Sequence, residues 1–174
     1  QTLNVVTYAY WRGEIAHEIA DALVERAQAG VEVNVVLDAM GSVQMERGVL
    51  KKMEDGDVRV ARFRPPKPYA WRRLNNRTHR KLLIADGKVG MTGGVGIAEE
   101  WTGNAQDPDH WRDTHVRVRG SIVRGLEIRI EGGKIVAILP ASRRHKTLVE
   151  GWTFKQVMAA INAHPAITHT LLGL

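Results

Sequence analysis

The stretch from Leu3 to Leu37 constrains the fold most, because it reads strand, helix, strand. Leu3 to Tyr8 is a short apolar run. From Glu14 to Ala29, the residues Ile15, Ile19, Ala22, Leu23, Arg26 and Ala27 recur near the 3.6-residue spacing of an amphipathic helix. Gly30 stands where such a helix stops, since glycine enters left-handed backbone without a steric cost. Val31 to Leu37 contains four valines and reads as a buried parallel strand. A second unit follows. Gly41-Ser42 opens a helix with Ser42 as its cap, running to about Met53 and closing near Asp55-Gly56. Val58 to Phe63 is the next strand. The order favours an α/β fold: a mostly parallel mixed sheet with flanking helices.

Pro65-Pro66-Lys67-Pro68 breaks that order, because proline has no N–H for a central ladder. Between Arg59 and Lys81 the chain carries nine Lys or Arg residues and no Asp or Glu. The loop leads Tyr69, Trp71, Arg72, Arg73 and Arg77 into the run Thr78-His79-Arg80-Lys81-Leu82-Leu83-Ile84-Ala85-Asp86. In a strand, alternate residues share a face. His79 and Lys81 would then project together, opposite Leu82 and Ile84. A turn at Asp86-Gly87 leads to a second apolar strand, Val89 to Thr92, and to glycines at 90, 93, 94 and 96. Lysine can neutralise phosphoryl oxygens, and neutral histidine can attack phosphorus or pass a proton. Glycine turns let backbone N–H groups approach an anion. The combination points to a phosphodiester site. His-x-Lys by itself is common, and its plain alternative is a solvated strand face. Tyr69 and Trp71 have two readings, ligand contact or a packed surface loop.

The pattern His79-x-Lys81-x4-Asp86, followed after six residues by Gly93-Gly94, resembles the HKD motif of the phospholipase D superfamily. The resemblance is greatest to bacterial cardiolipin-synthase-like members and runs from about Val5 to about Glu127. It includes Val6 to Trp11, Ala29 to Asp38, Ile97 to Trp101 and Trp111 to His115. It implies His79 as nucleophile, Lys81 as phosphoryl stabiliser and Asp86 as the third motif residue, supporting rather than nucleophilic. Gly93 and Gly94 of the motif are expected at the phosphate, and the basic and aromatic loop adds Arg77, Tyr69 and Trp71 as expected substrate- or phosphate-binding residues. Glu100 fits an acidic position after the glycines, and Arg112 and Asp113 are supporting residues. One departure is Gly96, where many members carry Asn. The resemblance further implies a phosphohistidine intermediate and no metal or other cofactor.

The superfamily faces two HKD motifs across a pseudo-twofold axis, and this chain has one. His145-Lys146 are adjacent, and His115, His164 and His169 lack the spacing, so each reads as a surface or local structural histidine. A complete site calls for a homodimer or for the missing second half of a longer chain. The implied partner is an anionic phospholipid or membrane surface. The basic stretch fits nucleic acid nearly as well. The opposed reading is a non-catalytic remnant that binds an anion.

Residues 1–127 are expected to form the catalytic half-domain and residues 128–174 a divergent tail. Leu126 to Ile130 and Ile135 to Leu139 alternate around Gly132-Gly133, which predicts a hairpin. Thr153 would cap a helix from Phe154 to about Ala163. Val149 to Phe154 and Asn162 to Pro165 resemble a short stretch of a lytic-transglycosylase family. The absence of cysteine excludes disulfides and thiolate chemistry. No apolar run is long enough to span a membrane. The expected location is the cytoplasm or the periphery of the bacterial inner membrane. Gln1 in place of Met implies a processed or cut N-terminus. The net charge of +6 favours anionic partners. His17, His79, His110 and His115 show no metal-ligand spacing.

Overall fold

The computed structural model describes residues 1–66, 77–126, 128–131 and 134–138. The strand–helix–strand reading holds. Strands β1 (Thr2–Thr7) and β2 (Glu32–Asp38) run parallel, with Val5 opposite Val35, and are joined by α1 (Glu14–Gln28). Helix α2 (Arg47–Asp55) leads to β3 (Arg59–Phe63), parallel to β2. Alternation sorts the side chains onto two faces. Val5, Val33, Val35 and Leu37 meet Ala16, Ala20 and Leu23 of α1 and Val49 and Met53 of α2 in the main core. Val6 and Val36 point the other way and pack with Leu82.

Helix α1 buries Ala16, Ala20 and Leu23 and exposes Ala22 and Arg26, so its inner face is rotated from the one predicted. The small alanines let it lie close to the sheet. Its first turn is held by the Tyr10 hydroxyl, which donates to the Ala16 carbonyl at 2.7 Å. Gly30 ends the helix with φ +83°, as expected of glycine there. The predicted start of α2 at Ser42 is corrected. Residues 39–45 form turns, and Ser42 Oγ donates to the Tyr8 carbonyl at 3.2 Å instead of capping a helix. Gly41 is required there, because a Cβ on it would lie 2.2 Å from the Tyr8 carbonyl oxygen.

Strands β4 (Leu82–Ala85), β5 (Val89–Gly93) and β6 (His115–Arg119) complete a sheet of order β3-β2-β1-β4-β5-β6. The mixed sheet is as predicted, but "mostly parallel" is corrected: β1–β2 and β2–β3 are parallel, while β1–β4, β4–β5 and β5–β6 are antiparallel. For β4–β5 the cause is local: Asp86 and Gly87 both take left-handed backbone, φ +52° and +60°, and such a tight turn can only return the strand alongside itself. Beneath this half, Ile84 and Val118 pack on Val123 of a 3-10 segment, Ser121–Leu126. The predicted hairpin is present as antiparallel β7 (Ile128–Glu131) and β8 (Lys134–Ile138). The predicted helix from Phe154 lies outside the described residues. Among the described residues, no helix is long and apolar enough to cross a membrane.

Candidate functional site

Because β4 runs antiparallel to β1, residues 77–81 arrive beside the carboxyl ends of β1 and β2. That edge is where open α/β sheets hold ligands. The predicted strand through Thr78 to Lys81 begins only at Leu82. Residues 77–81 are instead fixed by Asp38, the last residue of β2, whose side chain is fully buried. Its Oδ2 accepts the Thr78 N–H at 3.0 Å. Its Oδ1 accepts the N–H groups of Met40 at 3.0 Å and Gly41 at 3.1 Å. The Arg77 guanidinium lies 3.8 Å from the same carboxylate and donates to the Arg64 carbonyl at 3.0 Å. A buried carboxylate is tolerable only with such donors around it. Thr78 is thereby buried, His79 is held exposed and Lys81 half-buried. The His79 ring stacks obliquely on Tyr8, with centroids 4.5 Å apart.

Asp86 is not brought to this group. It lies past the far end of β4, roughly 13 Å or more from Lys81 at the ~3.3 Å rise of a strand. Its Oδ1 accepts the Thr2 N–H at 2.8 Å, and its own N–H donates to the Thr2 carbonyl at 2.9 Å. The third motif residue therefore ties the hairpin to the start of β1 and does not touch the His79 side.

Gly93 and Gly94 do lie near Lys81, at the end of β5. Their lack of side chains makes room for β6 and the residues before it. A Cβ on Gly94 would sit 2.0 Å from the Asp113 carboxylate, and one on Gly93 would sit 2.1 Å from the Thr114 carbonyl and 3.0 Å from His115 Nδ1. Asp113 accepts the Thr114 N–H at 2.7 Å. The pairing continues as a row. Leu82 faces Thr92 and Thr92 faces Val116, so one residue on, Lys81 and His115 flank Gly93. Partial desolvation holds the His115 imidazole below the ordinary histidine value. Asp113 opposes that shift and the Lys81 ammonium adds to it.

A second wall of the same edge is aromatic. Trp11, Trp101 and Trp111 meet edge to face, with Trp101 4.7 Å from Trp111 and 5.3 Å from Trp11. Trp11 donates to the Gly41 carbonyl at 2.8 Å, which joins this wall to the Asp38 turn. Trp111 is 42% exposed. The wall explains the departure at Gly96: a Cβ there would already lie 3.0 Å from the Trp101 ring and 3.1 Å from Ala9. A side chain at 96 would require the Trp101 ring or Ala9 to give way. Glu100 carries the wall through its carbonyl, which accepts the Trp111 N–H. Arg112 and Asp113 follow on the same strand approach, both exposed. Tyr69 and Trp71 lie outside the described residues.

Three residues of this edge escaped the sequence reading: Asp38, Tyr8 and His115. A carboxylate closing a valine-rich strand was a usable signal for Asp38. His115 carried the same alternate spacing with Asp113 that His79 has with Lys81. Tyr8 had no signal beyond its place after β1.

A family model described as "Cardiolipin synthase, PLD-like domain" matches residues 1–107. The cardiolipin synthase of Alkalihalophilus pseudofirmus is 34% identical over 127 residues, covering 72% of this chain and 25% of that protein. The major cardiolipin synthase ClsA of Bacillus subtilis is 36% identical over 128 residues, covering 73% and 27% respectively. The chain thus spans about a quarter of the length of these curated relatives. Among solved structures, the phospholipase D family member Nuc from Salmonella typhimurium aligns with a TM-score of 0.45 at 16% identity, over 67% of this chain and 64% of that one.

Proposed function

This chain belongs to the phospholipase D superfamily, within its cardiolipin synthase-type PLD-like domains, and on that premise we propose that it is one half of a phosphodiester-transfer site acting on phospholipid. Residues 1–127 form the catalytic half. The observation that carries the reading is the Asp38 anchor, which buries Thr78 and leaves His79 exposed next to Lys81. A nucleophile must be reachable, and its neighbour must hold charge where the phosphoryl oxygens will sit. His79 attacks phosphorus, the P–O bond to the leaving group breaks, and a phosphohistidine forms. Lys81 stabilises the oxygens as charge builds. The histidine of a second half-site protonates the leaving oxygen. That same opposite histidine then takes the proton of water or an acceptor alcohol as it attacks phosphorus, and the bond to His79 breaks.

One His79 and one Lys81 supply half of this machinery, so a lone monomer is inactive and a homodimer or the other half of a longer protein is required. The aromatic wall at Trp111 beside basic residues suits a glycerophosphate at a lipid surface. The +6 charge suits an anionic lipid surface and nucleic acid alike, so the second reading is a homodimeric nuclease. Parallel assays on phosphatidylglycerol vesicles and single-stranded DNA, in excess chelator, separate the two. Lipid turnover falling roughly 10³-fold in His79→Asn is the expected outcome. Cleavage of DNA alone would replace the lipid reading, and equal turnover by the variant would remove His79 from the chemistry. Sedimentation run alongside tests the half-site: full turnover by a strict monomer would refute it.

A further inference from the structure

A histidine nucleophile must be reachable and also aimed. Among the described residues no hydrogen bond orients the exposed His79 ring, and its ring contact is Tyr8, with centroids 4.5 Å apart and planes 42° apart. We propose that Tyr8 is the positioning residue that holds the His79 imidazole for attack on phosphorus. The inference rests on the phosphohistidine reading and deepens it. Tyr8 itself is tightly placed. A Cβ on Gly41 would lie 2.8 Å from the Tyr8 Cδ2 and 2.2 Å from the Tyr8 carbonyl oxygen, so the Gly41 backbone packs against this residue. The Tyr8 carbonyl accepts the Ser42 hydroxyl at 3.2 Å. The Thr7 hydroxyl donates to the Ala9 carbonyl at 2.8 Å, and the same carbonyl accepts the Ile97 N–H at 3.0 Å. The backbone on both sides of Tyr8 is therefore fixed.

Asp38 sets both neighbours of the Tyr8 ring. Its Oδ1 accepts the Gly41 N–H at 3.1 Å, and its Oδ2 accepts the Thr78 N–H at 3.0 Å, one residue before His79. One buried carboxylate thus fixes the spacing within which tyrosine and imidazole meet. An exposed histidine samples three χ1 wells and a roughly two-fold χ2, about six orientations in all. Holding one of them raises the rate of attack by up to the same factor of about six. The contact is ring to ring, so the aromatic ring matters and the Tyr8 hydroxyl does not. Tyr8 acts through the nucleophile, and Lys81 keeps its separate hold on the phosphoryl oxygens.

The test uses the full chain with potassium phosphoramidate as phosphoryl donor. His79 attacks phosphorus, the donor's P–N bond breaks, and ammonia leaves with the electron pair. That nitrogen is already protonated in the donor, so the step needs no acid from a second half-site. Mass spectrometry of the His79 peptide follows the product, and His79→Asn supplies the blank. Wild-type His79 should react faster than the same residue in the urea-unfolded chain, and Tyr8→Phe should match wild type. Tyr8→Leu, with Tyr8→Met as a second variant, should react roughly 5-fold slower at saturating donor with the half-saturating concentration unchanged. Carbon-13 relaxation should show the His79 ring ordered in wild type and Tyr8→Phe and mobile in both aliphatic variants, a signature that a purely structural role would not give. If Tyr8→Leu and Tyr8→Met react at the wild-type rate, or Tyr8→Phe is as slow as they are expected to be, the inference is overturned while a fast wild-type His79 keeps its reading. If wild-type His79 reacts no faster than in the unfolded chain, the His79 reading fails and the inference falls with it.

Discussion

The sheet has two halves built by different rules. In β1 to β3, parallel strands lie under two helices, and the forces are side-chain volume and burial. In β4 to β6, strands are antiparallel, two motif glycines are packed against backbone or carboxylate, and a buried carboxylate fixes the approach. The first half is a platform that tolerates apolar exchange of equal volume. The second positions exposed polar groups, with Asp38 reaching over from the end of β2, and the approach tolerates little at Asp38, Gly93 or Gly94. The seam between them is the β1–β4 pair, at whose carboxyl-end edge His79 stands.

Four measurements can break or sharpen that contrast. Asp38→Ala should show the largest loss, about 4 kcal/mol, because three backbone N–H groups lose their buried acceptor. Urea unfolding reads the stability, and loss of His79-dependent turnover should accompany it even in folded protein. Met53→Ala, in the platform, should cost about 3 kcal/mol through the cavity it leaves. Its turnover per folded molecule should stay at the wild-type value; a matching drop would erase the distinction between platform and site. Gly93→Ala should cost about 2 kcal/mol, since the new Cβ meets the Thr114 carbonyl and the His115 backbone. A neutral result would mean that β6 can retreat from β5.

The smallest effect is in pH. His115 has a lowered value in the folded chain, so as pH falls the unfolded chain takes up this proton first. Its contribution is complete above the ordinary histidine value and is lost as pH falls through that value towards the folded one. Comparing urea midpoints across that window for wild type and His115→Gln should show a shallower acid decline in the variant. An identical decline would place His115 in an environment like that of the unfolded chain.

Much of the platform was legible, because periodicity is a local property. Glu14 to Gln28 and the valine run of β2 declare themselves within one segment. The start of α2 did not, since Asp38 and Tyr8 capture residues 40–42, and Tyr8 lies more than thirty residues upstream. The His79-x-Lys81 spacing was legible as a family motif, because it too lies within one short segment. Asp38 was visible as a carboxylate closing the valine run, but its anchoring role was not, because its partner Thr78 is 40 residues away. Gly93 and Gly94 were noticed as turn formers. Their reason for being glycine, the approach of Asp113 and His115, exists only once β6 is paired. The parallel bias was overestimated for the same reason: Asp86-Gly87 was seen as a turn, but the sheet position it imposes on β4 and β5 depends on β1.

That seam also sets an order in time. Residue 2 is tied to residue 86 by two hydrogen bonds, across a chain separation of 84. Closing a loop of that length costs about 4 kcal/mol of chain entropy before any contact repays it. The pairings β1–β2 and β2–β3 close loops of only about 25 to 30 residues, so they form sooner on contact-order grounds. A chain leaving the ribosome assembles its platform first and holds the edge of β1 open meanwhile. The β1–β4 seam, with the edge where His79 stands, can close only after residue 86 has emerged.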